Sequence, residues 1–122
     1  AVVAKHPAVA ECAVVGIDDP LRGQVPIGFV VLADGVRIDP AELERALVAA
    51  IREQIGAIAV FKQAVVVGRL PKTRSGKILR RTLRRLAVEA EVPVPATIDD
   101  PVILVEISAA LRARGVGRFG AA

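Results

Sequence analysis

Val9-Ala10-Glu11-Cys12-Ala13-Val14-Val15-Gly16-Ile17 is apolar and rich in β-branched residues, with Glu11 its single charge. His6-Pro7 precedes it and Asp18-Asp19-Pro20 follows, and a short β-branched run bounded by such turn formers reads as a strand. Val25 to Leu32 repeats the pattern as a second strand. Pro26 has no amide to give a neighbour, which puts that end at an edge, at a bulge or at the strand's start. Asp34-Gly35 marks a turn. Asp39-Pro40, with Glu42 behind it, then supplies a cap, a proline at the first helical position and a carboxylate near the positive helix end. The spacing of Leu43, Leu47, Ala50, Ile51 and Ile55 predicts a helix over 40–55 with one buried face, stopped at Gly56.

Gln63 to Val67 predicts a third strand. Residues 68–77 lack apolar periodicity and hold Pro71, Ser75, Gly76 and four basic residues, so they read as a loop. A second helix is expected from Ile78 to about Ala90, with Ile78, Leu79, Leu83, Leu86 and Ala90 inward and Arg80, Arg81, Arg84 and Arg85 outward. Pro93 and Pro95 make the stretch from Glu91 to Ala96 an extended linker. Asp99 or Asp100 as cap and Pro101 at the first position then start a last helix running to about Arg114, and the tail with Gly115, Gly117 and Gly120 is expected to fray. These elements predict an α+β fold: a small three-stranded sheet covered on one face by helices, plus a C-terminal helical extension. Residues 1–90 form one domain in this reading, and 91–122 a linker and C-terminal helix.

A chain of 122 residues is one ordinary domain in size, and folding removes roughly two thirds of the unfolded surface from water. Hydrophobic content of 53% with 25% charged residues excludes a disordered chain, and no 18-residue apolar run is present to span a membrane. Cys12 stands alone and no signal-peptide pattern opens the sequence, which together predict a reducing, cytoplasmic setting. The start at Ala1 and the lack of Met predict a piece of something longer.

The net charge of +4 hides an uneven distribution. Eight of the 17 basic residues and none of the 13 acids lie between Arg69 and Arg85, so that window is +8 and the remainder −4. A field concentrated in this way points to an anionic partner, or else to a solvated helix face. A nucleic-acid-binding or protein-docking module is therefore the alternative reading. Phe29, Phe61 and Phe119 are the only aromatics and none lies inside the window, so no platform for stacking bases accompanies the charge.

Leu70-Pro71-Lys72-Thr73-Arg74-Ser75-Gly76-Lys77-Ile78-Leu79-Arg80-Arg81 carries the chemistry. Gly76-Lys77 invites comparison with a phosphate-binding P-loop, but Pro71 occupies the first glycine position and Ile78 replaces the metal-binding hydroxyl. What remains is a lysine delivered by a glycine-hinged loop at the start of a helix. This run, with Val9 to Ile17 and Val25 to Leu32, resembles the small C-terminal domain of the adenylate-forming (AMP-forming) acyl-CoA synthetases. The stretches His6 to Glu11, Val14-Val15-Gly16, Gly23-Gln24-Val25-Pro26 and Thr97 to Pro101 resemble the short-chain members, the propionyl-CoA and acetyl-CoA synthetases. The likeness covers essentially the whole chain. Ala57 departs from it, standing after Gly56 where the family carries Pro.

The resemblance implies an enzyme, an acid–thiol ligase, that uses ATP to convert a short-chain carboxylate to acyl-AMP and then lets coenzyme A displace AMP. It implies a missing large N-terminal domain as partner, so that this piece alone is inactive, and magnesium held by the parent enzyme but not by this chain. Lys77 is cast as the catalytic lysine of the first step, with Arg74, Ser75 and Gly76 as its loop, and Arg52 as a CoA contact at the 3′-phosphate. The Pro71-to-Lys77 pattern further implies reversible acylation of Lys77 by a protein acyltransferase and a deacylase, which would delete its charge. Beside these, Cys12 shares a strand face with Ala10 and Val14 and reads as a core thiol, His6 as a turn residue, and Asp18 and Asp19 as turn caps. One Cys and one His make no metal-ligand set.

Overall fold

The computed structural model describes residues 9–19, 23–35, 37, 39, 41–43, 45 and 63–119. Three strands form one sheet in the order β1-β2-β3: β1 is Val9–Asp19, β2 is Gly23–Leu32 and β3 is Gln63–Val66. β1 and β2 are antiparallel, with Cys12 opposite Val30 and Ala13 opposite Phe29, and the register is irregular between Val9 and Glu11. β3 runs parallel to β2 over Ile27 to Val30. Parallel neighbours cannot be joined by a tight turn, and β2 and β3 are accordingly far apart in sequence, with residues 33–62 between them. Residues 41–43 and 45 are helical, the Leu43 amide donates to the Asp39 carbonyl at 2.9 Å, and Leu43 is buried. The rest of the expected helix, including Leu47, Ala50, Ile51 and Ile55, lies outside the described residues, as do His6 and Arg52.

Pro26 sits in central β2 rather than in an edge strand, opposite Gly16 of β1 and one residue before the β3 pairing begins. The residue without an amide thus falls outside the described β2–β3 pairing. Asp18 and Asp19 continue β1 against Gln24 and Gly23 instead of capping a turn. Their β1 register carries them two residues beyond the expected strand end.

Two helices follow: α1, Arg80–Val88, and α2, Val102–Arg114. Ala13, Val15, Ile27, Phe29 and Val65 of the sheet meet Leu83, Leu86 and Ala87 of α1 and Ile103, Leu104, Ile107 and Leu111 of α2 in one cluster. Phe29, Leu83, Ile107 and Leu111 are wholly buried, and each such side chain contributes about 1.5–3 kcal/mol by leaving water. α2 therefore shares the core of the strands and α1. At Glu89 the backbone turns extended (φ −110°, ψ 141°), which ends α1 early and leaves Ala90 exposed, not inward as its spacing predicts.

The tail does not fray through residue 119. Gly115 takes the left-handed conformation (φ +63°) that closes α2, its amide donating to Arg112 O and the Val116 amide to Leu111 O at 3.0 Å. Gly117–Phe119 forms a 3₁₀ turn, the Phe119 ring lies under the Arg118 and Arg112 guanidinium groups at 4.0 and 5.0 Å, and Arg118 Nε donates to Leu86 O at 3.3 Å. Glycines in a sequence read as slack; here two of them supply left-handed backbone that L side chains resist.

Cys12 is buried, as expected, but not with its face neighbours: Ala10 is exposed and Val14 is 39% exposed. It points away from the helix-covered cluster, beside its partner Val30, so the sheet centre is buried on both faces. Burial pushes the Cys12 thiol up to about 11. The thiolate is the reactive form, so Cys12 is expected to resist a disulfide reagent at pH 8 in the native chain and to react promptly in guanidinium. Rapid native labelling would refute that burial.

Candidate functional site

Residues 71–79 form a tight hairpin: the expected loop over 68–77 is ordered, and Ile78 and Leu79, expected in the second helix, belong to the hairpin's second arm, with α1 starting only at Arg80. The Leu79 amide donates to Pro71 O, Lys72 bridges Ile78, and the Thr73 amide donates to Lys77 O at 2.9 Å. The Gly76 amide returns to Thr73 O at 2.9 Å, and Gly76 has φ +91°. This is a three-residue hairpin loop, Arg74-Ser75-Gly76, closed by a glycine where backbone geometry demands one. Open space surrounds the position a Gly76 Cβ would take, so within this chain conformation, not crowding, requires the glycine.

Thr73 is the residue that sequence reading missed. Its hydroxyl accepts the Lys77 amide at 3.1 Å and shares a 3.0 Å hydrogen bond with the Ser75 hydroxyl. The available signal was a Thr four residues before the lysine, in the hydroxyl-to-backbone arrangement that stabilises turns. Arg74, Ser75, Gly76 and Lys77 are brought together at the exposed tip, immediately before α1.

The basic window divides in two. Arg69 donates to Glu106 through Nε (3.0 Å) and Nη2 (2.9 Å) and to Asp100 through Nη1 (2.7 Å); Lys72 pairs with Glu11. Arg84 Nε donates to Gly16 O at 3.0 Å and its head lies 3.8 Å from Asp18, while Arg85 is held by Glu89. Arg74, Lys77, Arg80 and Arg81 are exposed and have no carboxylate partner among the described residues. The field available to a ligand is therefore carried by the hairpin tip and the first turn of α1. Among the described residues no group of three His, Cys, Asp or Glu side chains is placed to hold a metal ion, and no helix is long and apolar enough to cross a membrane.

At the foot of the hairpin, Asp99 N donates to Lys72 O at 2.9 Å and Thr73 bridges Ile98. Asp100, one of two expected caps, accepts the Val102 amide at 3.0 Å. The Arg69 guanidinium, then the Val102 amide, hold the Asp100 carboxyl below the usual carboxylate range. A lowered folded pKa means stability present above the unfolded value of about 3.9 and lost as pH falls through the folded one. Asp100→Asn is therefore expected to lower Tm at pH 7, with the gap to the native sequence closing below about pH 4; a gap independent of pH would contradict the pairing.

The AMP-binding enzyme C-terminal domain family model matches residues 1–77. An uncharacterized protein of Pseudomonas aeruginosa is 60% identical over 94% of this chain and 18% of its own length. Acyl-CoA synthetase short-chain family member B, mitochondrial, of Dictyostelium discoideum is 47% identical over 87% of this chain and 15% of its own. Among solved structures, acetoacetyl-CoA synthetase from Streptomyces lividans superposes with a TM-score of 0.72 at 26% identity, covering 93% of this chain and 17% of that one. The chain thus spans less than a fifth of the length of the relatives it matches. With the three-stranded sheet, the helices packed on it and the Ser75-Gly76-Lys77 hairpin in place, the chain belongs to the family of AMP-binding enzyme C-terminal domains.

Proposed function

We propose that this chain is the mobile C-terminal domain of a short-chain acyl-CoA ligase and supplies the lysine of its adenylation step. The observation that carries the reading is the hairpin: an exposed lysine, without a carboxylate partner among the described residues, fixed at the end of a hydrogen-bonded three-residue loop in a chain of this family.

In the first half-reaction a carboxylate oxygen attacks the α-phosphorus of ATP, the bond to the bridging oxygen breaks, and acyl-AMP and pyrophosphate form. Both reactants are anionic and charge grows on the phosphoryl oxygens. A cation placed against them lowers the barrier by more than it favours the ground state. Lys77 suits this as a compact charge on a long stem. Thr73 and Ser75 hold the loop that presents it, and Arg74 adds a second exposed cation at the tip. In the second half-reaction the CoA thiol attacks the acyl carbon and AMP leaves with the electron pair of the broken C–O bond. Arg52, outside the described residues, is proposed as a contact to the CoA 3′-phosphate. The described residues offer no His, Cys, Asp or Glu cluster that could hold a magnesium ion.

Propionate or acetate is the proposed substrate, the large N-terminal domain the proposed partner and the cytoplasm the proposed setting, with reversible acylation of Lys77 as control. Residues 1–90 are proposed as the mobile domain and 91–122 as its linker and C-terminal helix, which moves with it because α2 shares its core. The test is carboxylate-dependent ATP–pyrophosphate exchange by the full-length protein with Lys77 intact and replaced. The nucleic-acid alternative has lost half its surface, because Arg69, Lys72, Arg84 and Arg85 are engaged within the chain.

A further inference from the structure

The matched family segment ends at Lys77, yet the hairpin that presents Lys77 is held at its base by residues well beyond that point. On the outer edge of its first arm, Thr73 bridges Ile98 and the Asp99 amide caps Lys72 O. Two residues before that arm, all three donor groups of Arg69 are taken: Nε and Nη2 by the two oxygens of Glu106 in α2, and Nη1 by Asp100 just ahead of it. Asp100 uses its other oxygen on the Val102 amide. One guanidinium therefore joins the β3-to-hairpin connection to the start and the second turn of α2. α2 is in turn anchored in the core by Ile103, Ile107 and Leu111.

An isolated exposed ion pair contributes little to stability. A fork with fixed planar geometry defines position as well as energy. Position is what a presented charge needs, since displacement by about 1 Å can cost on the order of 100-fold in rate.

We infer that Asp100 and Glu106 are positioning residues for the Lys77 hairpin, acting through Arg69, so that the C-terminal helix sets where the lysine is presented. The inference rests on the adenylation reading given above. α2 is on this view a brace for the active-site loop in addition to being part of the core.

The test pairs Asp100→Asn/Glu106→Gln with Val30→Ala, a core lesion in β2 on the sheet face away from α2, which touches neither the clamp nor the helix it holds. Asn still caps a helix, so the double variant removes the charge pairing and leaves the start of α2 satisfied. In the full-length protein, the double variant is expected to lower kcat for acyl-adenylate formation about tenfold with KM for ATP and carboxylate nearly unchanged, the pattern of a group misplaced only for the transition state. In the same full-length protein, hydrogen exchange at the Thr73 and Gly76 amides should accelerate while that at Leu83 does not. Val30→Ala should lower Tm and leave kcat at low temperature near that of the native sequence. Unchanged hairpin exchange, or an equal kcat loss in Val30→Ala, would overturn the inference. Failure of the underlying reading is separate: it would appear as full exchange activity in Lys77→Ala, whatever the hairpin amides do.

Discussion

Lys77→Ala in the full-length protein is expected to reduce carboxylate-dependent ATP–pyrophosphate exchange by about 100- to 1,000-fold, the usual cost of deleting one preorganised group that stabilises developing charge, or about 3–4 kcal/mol. Thioester formation from supplied acyl-adenylate should survive, because no anion attacks an anion in that step. The separation is what makes the experiment informative. A variant that lost both half-reactions equally would indicate damage to the domain, but Lys77 is exposed and its amide and carbonyl, not its side chain, close the hairpin. Folding should be unaffected, and an unchanged Tm is part of the expected result. If exchange persists, Lys77 is not the adenylation lysine, and the cations at Arg74, Arg80 and Arg81 become the surface to examine for another anionic partner.

Gly117→Ala should be strongly disruptive for the addition of a single methyl group. Gly117 has φ +64°, and a Cβ there would lie 2.4 Å from the carbonyl oxygen of Ala87 and 3.2 Å from its carbonyl carbon. The obstacle is backbone of α1, which cannot rotate aside as a side chain would. Left-handed strain of about 1–2 kcal/mol and overpacking of about 1–3 kcal/mol add to roughly 2–5 kcal/mol. For a domain of this size that lowers Tm by on the order of 10 °C. Gly35→Ala is the matched control: φ is +75° but open space surrounds the new methyl, so only the strain applies. Equal losses from the two substitutions would show that the tail is not docked on α1.

Much of the fold was legible because its cause is local. β-branched runs between turn formers marked all three strands to within two residues at each described end, and Pro101 with Asp100 marked the start of α2. Helix ends were less legible. Ala90 continues the apolar spacing of α1, yet Glu89 turns extended and is held by Arg85, an outcome that spacing does not encode. The glycine-rich tail misled for a related reason. A glycine signals conformational freedom, and whether it is slack or the single residue able to sit against α1 depends on what stands where a Cβ would project, here the Ala87 carbonyl.

The candidate site divides along the same line. The Ser75-Gly76-Lys77 run announced a lysine on a glycine-closed turn, since a three-residue hairpin loop ending in glycine is a short-range matter. Which cations stay available was not readable from composition. Arg69 and Arg74 are five residues apart and chemically identical, but Arg69 is gripped by acids 31 and 37 residues away while Arg74 has no such partner among the described residues. By itself the sequence determined the strands, the turn and the residue type at its tip, because backbone preference and side-chain period act over a few residues. Only the tertiary structure decided which charges are free, which face buries Cys12 and that α2 braces the hairpin, because ion pairing and burial depend on residues brought together from far along the chain.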